Sequence, residues 1–232
     1  PVFIENGSVT DVYRSFLKTG SEEEISVSDT LLLDGQRIRE RGGSTIDELV
    51  VLISQGLEAG RKFGFDSNIL FKTAVGSGFL AEVAKIRALR WLWSQILVHE
   101  KQSKQPYPTI VAVNLSNGYT QNDEHTNILR ATSSALSAIT GGAQFIMIEP
   151  WDQSWKESNA FSTRITRNIQ TLLKNEARMD KNLNPADGSF FLENLTVAMA
   201  KNAWARVQII EKAGGFSSYA KSGALKSDLE FS

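Results

Sequence analysis

Hydrophobic positions along the chain follow two alternating rhythms. Short runs rich in β-branched and aliphatic residues occupy 2–5, 30–34, 69–75, 109–114 and 145–149, with the length and composition of strands. Residues 9–18, 45–59, 79–98, 124–139 and 162–177 place apolar side chains three and four apart, the spacing of amphipathic helices. A final helix is expected over 196–212. Ile110-Val111-Ala112-Val113 and Phe145-Ile146-Met147-Ile148 are apolar at every position, so both faces of these strands are expected to be covered, as in a parallel sheet beneath helices. Strand alternates with helix throughout, which predicts an α/β protein. The alternation fits a barrel and an open doubly wound sheet equally well.

Local chemistry sets several boundaries. Ser44 or Thr45 is placed to cap a helix whose first turn holds Asp47 and Glu48, with carboxylates near the exposed N–H groups. Gly141-Gly142 ends the helix that starts near Glu124, because glycine enters the left-handed conformation without a Cβ clash. Residues 101–108, with two prolines among polar residues, read as a surface connection. The final helix closes at Gly214-Gly215. Residues 1–216 are therefore expected to form one unit, and 217–232, small and polar, a loose tail.

The 232 residues are enough to bury a sizeable core. With 41% hydrophobic and 22% charged residues and a net charge of -1, the chain lacks the basic footprint of a nucleic-acid binder. There is no cysteine, which excludes disulfides and thiolate metal sites. The longest apolar stretches are strand-sized or broken by charge, so no membrane partner and a cytoplasmic location are expected.

In a parallel α/β protein, ligands meet the carboxyl ends of the strands. This points to Glu5-Asn6, Asp34-Gly35, residues 73–76, Asn114 and Glu149. Such acids serve acid–base or Mg²⁺ chemistry in some proteins, but hydrogen bonding to their own turns is the commoner role. Gly76-Ser77-Gly78 lies between a strand and a helix, the setting for an anion at a helix N-terminus, yet it lacks the lysine of a phosphate loop and reads as a tight turn. His99 sits at a helix end as a solvated cap. In Asn122-Asp123-Glu124-His125 neighbouring side chains diverge on a helix, so Asn122 is expected as an N-cap and no metal site is expected. Trp91 and Trp93 read as packing residues.

Three stretches share a distinctive wording. One is Ala160-Phe161-Ser162-Thr163-Arg164-Ile165-Thr166-Arg167-Asn168-Ile169-Gln170, followed by Asn184-Pro185-Ala186-Asp187-Gly188-Ser189-Phe190-Phe191-Leu192-Glu193, Leu195-Thr196 and Ala203-Trp204. A second is Glu82-Val83-Ala84-Lys85-Ile86-Arg87-Ala88-Leu89-Arg90-Trp91-Leu92-Trp93, and a third runs from Asn122-Asp123 to Arg130. Together they resemble the barrel domain of the methylmalonyl-CoA mutase family, which reads close to D-F-S-A-R-I-A-R-N-T-Q, D-P-x-G-G-S-Y-Y-V-E, E-V-A-K-x-R-A-A-R-x-L-W and A-Q-D-x-x-N-N-x-x-R. The resemblance implies a TIM-type (β/α)8 substrate barrel, joined to a cobalamin domain, that interconverts methylmalonyl-CoA and succinyl-CoA. About five β/α units and a C-terminal helix imply a partial or truncated barrel, its later five-eighths. Strands lacking here would come from an N-terminal part or a partner, and uncovered edges imply self-association.

Departures from the family wording fall at its functional positions. In place of G-Y-H-M-Q-E-A-G stands Gly35-Gln36-Arg37-Ile38-Arg39-Glu40-Arg41-Gly42, and in place of R-L-S-F-F stands Asn68-Ile69-Leu70-Phe71-Lys72. Where the family has H-S-Q-T-S-G beside the corrin, the chain has Val111-Ala112-Val113-Asn114-Leu115-Ser116. The cobalamin-binding D-x-H-x-x-G motif is absent. This pattern is similar to the small, non-catalytic subunit of a heterodimeric mutase. It implies no catalytic residue, a large catalytic subunit as partner, and adenosylcobalamin at the level of the complex rather than on this chain. The alternatives are an active acyl-CoA mutase or an acyl-CoA-binding module with a rearranged pocket of Arg37, Arg39 and Lys72, with Asn114 beside it. For Arg37, Arg39 and Arg41 the simpler expectation is a solvated basic stretch paired with nearby acids.

Overall fold

The computed structural model describes residues 2–3, 30–65, 68–100, 108–157 and 159–225. The predicted helix over 9–18, the rim candidates Glu5 and Asn6, and the connection over 101–107 lie outside the described residues. Five strands, β1 (Val2–Phe3), β2 (Thr30–Asp34), β3 (Asn68–Val75), β4 (Thr109–Asn114) and β5 (Phe145–Met147), form one parallel sheet in the order β1-β5-β4-β3-β2. From β2 to β5 each βα unit adds its strand beside the last, always in the same direction. This stepwise order carries the intervening helices to a single face of the sheet. β1 and β2 stand at opposite edges, so the described strands make an open α/β sheet rather than a closed barrel.

The helices are α1 (Gln36–Glu40), α2 (Thr45–Phe63), α3 (Phe79–His99), α4 (Thr126–Gly141), α5 (Ala160–Asn175), α6 (Phe190–Lys212) and α7 (Phe216–Lys221). α2, α3 and α4 pack side by side, and α6 lies across α2 and α3. The main core fills the space between sheet and helices, with Phe71, Ile110 and Ile146 from the strands meeting Ile53, Ile86 and Leu89 from the helices. Gly56 lets the indole of Trp93 approach α2, since a Cβ there would stand 2.6 Å from the ring. Trp93 in turn meets Phe71 edge-on, with ring centroids 5.0 Å apart, a favoured aromatic geometry.

Capping explains where several helices begin and end. Ser44 caps α2 with a full capping box: its hydroxyl accepts from the Asp47 N–H, and the Asp47 carboxylate accepts from the Ser44 N–H at 2.7 Å. Asp47 also pairs with Arg206 of α6, so one carboxylate both starts α2 and ties α6 to it. α4 ends at Gly142 in the left-handed conformation, φ 88°, where Arg90 of α3 donates to the Gly142 carbonyl.

Three local expectations change. α4 begins at Thr126 with His125, not Asn122, in the cap position, and the Asp123 carboxylate accepts from the Thr126 hydroxyl instead. α6 starts six residues before the expected residue 196, at Phe190, because Phe190 and Phe191 are exposed and break the buried-face rhythm. The segment expected as a loose tail opens with α7, which Ser217 anchors by donating its N–H to Glu58 at 2.7 Å, while Phe216 and Tyr219 pack on the core.

Burial of Asp47 works against its charged form, but hydrogen bonds from Ser44 and the pairing with Arg206 outweigh it and hold the carboxyl below its usual value of 3.8. A depressed folded-state value stabilises the fold above the unfolded value and is lost as pH falls through the folded one. In urea titrations, Asp47→Asn is expected to lower stability at pH 7, and the gap from the parent is expected to narrow below pH 3.8. Ser44→Ala is expected to cost about 1 kcal/mol.

Candidate functional site

The carboxyl ends of the strands carry three polar groupings, and each is internally satisfied to a different degree. At the β2–β3 edge, Asp34 and Lys72 are register partners and form an ion pair at 3.2 Å. Arg37 approaches the same carboxylate only to 3.9 Å, with its side chain 77% exposed. Gln36 stands where the family wording has tyrosine, and its amide is tied back to Glu40 at 2.6 Å. Across the sheet the register continues from Lys72 to Val111 and from Val111 to Phe145. On this face, away from the helices, Leu70, Val111, Val113 and Phe145 form a buried apolar cluster with Met147 packed against it. Apart from the Asp34–Lys72 pair at its edge, these positions present hydrocarbon with no donor or acceptor side chain.

The second grouping lies at the ends of β4 and β5. Asn114, 3% exposed, donates to the Tyr119 hydroxyl at 2.6 Å and accepts from the Glu149 N–H at 2.5 Å. Its amide therefore bridges two strand ends. Burial pushes the Tyr119 phenol well above its usual value, against the bond from Asn114, so it stays protonated. Asn127 performs a similar task one layer out, exchanging bonds with Thr120 and accepting from Arg130 at 2.7 Å. His125 packs against the Trp151 ring, centroids 5.1 Å apart, and His99 is solvated beside Glu100. Among the described residues no group of three His, Cys, Asp or Glu side chains is arranged to hold a metal ion.

The third grouping went unrecognised in the sequence. Glu48 of α2 and Glu82 and Lys85 of α3 are at most 1% exposed, and Arg39 of α1 joins them. The Lys85 ammonium lies 2.7 Å from both the Glu48 and Glu82 carboxylates and donates to the Ala74 carbonyl. Arg39 lies 3.1 Å from Glu82 and 3.8 Å from Glu48. Glu48 also accepts from the Thr73 hydroxyl at 2.8 Å and the Ala74 N–H at 2.7 Å. Two acids and two bases balance, and their bonds join α1, α2, α3 and the end of β3. Burial raises the Glu48 carboxyl above its usual value, opposed chiefly by Lys85. Arg39 is thus turned toward the helix layer, away from the Asp34–Lys72 edge with which the rearranged pocket groups it. The Gly76 N–H, the candidate anion donor, is taken by Glu82 at 3.1 Å.

One further residue of the shared wording serves as a clamp. Arg87 donates to Asn184 and Glu193, binding the glycine turn and the start of α6 to α3, while Ala186 and Leu192 pack on Val83. The methylmalonyl-CoA mutase family profile matches residues 13–232. The chain belongs to the methylmalonyl-CoA mutase family. It is 36% identical to a methylmalonyl-CoA mutase small subunit of Porphyromonas gingivalis over 69% of the chain and 26% of that protein. It is 28% identical to a methylmalonyl-CoA mutase of Rhizobium meliloti over 90% of the chain and 31% of the relative. The large subunit from Propionibacterium freudenreichii subsp. shermanii is 29% identical, over 87% of the chain and 29% of the relative. The chain therefore spans less than a third of these relatives. Members of this mutase family are isomerases and depend on cobalamin. No described helix is long and apolar enough to cross a membrane.

Lys85→Met leaves Glu48 and Glu82 facing each other in the interior and is expected to destabilise the chain by about 3–5 kcal/mol. Chemical denaturation measures this. A loss below about 1 kcal/mol, the range of a solvated pair, would contradict the buried-network description.

Proposed function

We propose that this chain is a barrel-domain portion of a small mutase subunit that supports a large catalytic subunit and does not itself isomerise acyl-CoA. The observation that favours this reading is the apolar sheet face. Val111 and Val113 stand where the family wording places donors beside the corrin, and both are buried against Leu70 and Phe145. Catalysis by differential binding needs groups aimed at the reacting atoms, and these side chains have none to offer. The second support is similarity to a small subunit, within a family that also includes large subunits.

The same face fits adenosylcobalamin poorly. Valine and methionine side chains cannot donate hydrogen bonds to a corrin edge, while His99 is solvated at the end of α3 and His125 packs on Trp151. The D-x-H-x-x-G motif is missing from the sequence. No chemical step is therefore assigned to this chain. The cofactor's radical chemistry belongs to the partner in this reading, and the chain's own contribution is structural. The partial-barrel reading extends the observed strand order, since further strands added stepwise beyond β2 would follow the same direction around the sheet.

An acyl-CoA-binding module is the second reading, and Arg37 favours it. Its guanidinium is largely solvated and only loosely paired, so a phosphate could recruit it together with Lys72, with Asn114 farther along the rim. The balance lies against it because Lys72 is already neutralised by Asp34 and Arg39 by Glu82.

Co-expression with the cognate large subunit is expected to yield a complex that co-elutes in size exclusion. The isolated chain is expected to show no turnover of methylmalonyl-CoA with added adenosylcobalamin. Failure to associate would remove the subunit reading, and turnover would remove the non-catalytic one. Saturable acyl-CoA binding lost in an Arg37→Ala, Lys72→Ala variant would establish the binding-module reading.

A further inference from the structure

The loop that follows β4 is fixed at both ends and free at its tip. Asn114, at the end of β4, donates to the Tyr119 hydroxyl at 2.6 Å. On the far side, Thr120 donates its N–H to Asn127 at 3.1 Å and accepts from the Asn127 amide at 3.0 Å. Between these anchors Ser116–Gly118 form a short turn of 3-10 helix, across which the Tyr119 N–H donates to the Ser116 carbonyl at 2.9 Å. Asn117 and Gly118 are exposed at its tip.

These two residues differ from other asparagine pairs in the chain. The amides of Asn114, Asn127, Asn159 and Asn184 are hydrogen-bonded, and Leu115, Ile128, Ala160 and Pro185 follow them with side chains that crowd the next backbone nitrogen. The Asn117 amide has no hydrogen-bond partner among the described residues. Gly118 offers its nitrogen no side-chain shield, and no atom lies within 4 Å of where a Cβ would stand. Its φ is negative, so the backbone tolerates a larger residue there.

We propose that Asn117 is a site of spontaneous deamidation, through which the loop gains a carboxylate as the protein ages. The Gly118 nitrogen gives its proton to hydroxide and attacks the Asn117 Cγ, forming an N–Cγ bond. The Cγ–Nδ2 bond breaks, and ammonia leaves with a proton from water, which regenerates hydroxide and closes a five-membered imide. Water then opens the ring. Cleavage at Cγ gives aspartate, and cleavage at the backbone carbonyl gives isoaspartate, in which the chain runs through the former side chain. Nothing is oxidised or reduced. The site is independent of the reading of the rim.

The anchored ends make the product consequential. Isoaspartate adds one carbon to the backbone between Asn114 and Tyr119, whose side chains are bonded to each other, while Asn114 also holds the Glu149 N–H. The isoaspartate form is therefore expected to unfold at a lower temperature than the parent. The same anchoring slows the reaction. Bringing the Gly118 nitrogen onto Cγ takes Asn117 out of its helical backbone and opens the Tyr119–Ser116 bond, a cost of about five-fold in rate relative to a free peptide of residues 114–120.

The test is incubation of the whole chain in mildly alkaline buffer, in ordinary and in heavy-oxygen water, followed by mass spectrometry and peptide mapping. Expected is a gain of one mass unit in ordinary water and of three in heavy-oxygen water, located at Asn117, with release of ammonia and a rate that rises with pH. Gly118→Val, whose branched side chain crowds the attacking nitrogen, is expected to suppress the gain, as is Asn117→Gln, which would have to close a larger ring. Thermal unfolding checks that each variant is folded. The proposal is overturned if the free peptide reacts while the folded chain does not, if the gain at Asn117 is indifferent to Gly118→Val, or if it appears only after denaturant unfolds the chain. A gain confined to Asn6, which precedes Gly7 and lies outside the described residues, would overturn it as well.

Discussion

The architecture turns on a buried exchange of charge. Glu48, Glu82, Lys85 and Arg39 bring two acids and two bases to the seam where the end of β3 meets α1, α2 and α3. Desolvating any one of them alone would be prohibitive, so none is tolerable without the others. That mutual dependence fixes the position of three helices relative to one strand end. It also explains why a five-residue helix as short as α1, which could not persist in isolation, is held in place: Arg39 reaches both acids and donates to the Gly43 carbonyl.

The residues that identify the family and the residues that would run its chemistry occupy different layers. Glu82, Lys85, Arg87 and Arg90 all belong to one stretch of α3, and each bonds to another element of the structure. Asn127 and Arg130 likewise organise the loop ahead of α4. These are packing devices, and packing is retained whether or not a pocket works. The opposite sheet face answers to a different requirement. There Val111 and Phe145 fill space where donor side chains would be left unsatisfied.

Much of the fold was legible in the sequence because its signals are local. The strands at 30–34 and 109–114 match the structure end to end, since uninterrupted apolar runs between polar turns leave little freedom in their placement. Ser44 and Gly142 were legible for the same reason: capping needs only a few adjacent residues. The charged seam was illegible because Glu48, Glu82 and Lys85 look like ordinary solvent-facing charges until distant elements are brought together. α1 was missed because five mostly charged residues hold too little periodicity to register. The start of α6 was misplaced because Phe190 and Phe191 lie on its exposed side, against the usual sense of hydrophobic patterning. For the candidate pocket, sequence proximity grouped Arg37 with Arg39, whereas the helix sends them to different surroundings, one into solvent and the other into the interior.

The contact between Glu82 and the Gly76 N–H has a consequence for reversibility. This helix start already hosts an anion tethered to the chain, so an incoming phosphate would have to compete with a neighbour at very high effective concentration. Clearing the position by replacing Glu82 would strand Lys85 and Arg39 as surplus positive charge inside the protein. A phosphate pocket could not therefore be opened by one substitution at this spot. It would need concerted changes on α1 and α3, and each intermediate would be less stable than either end point.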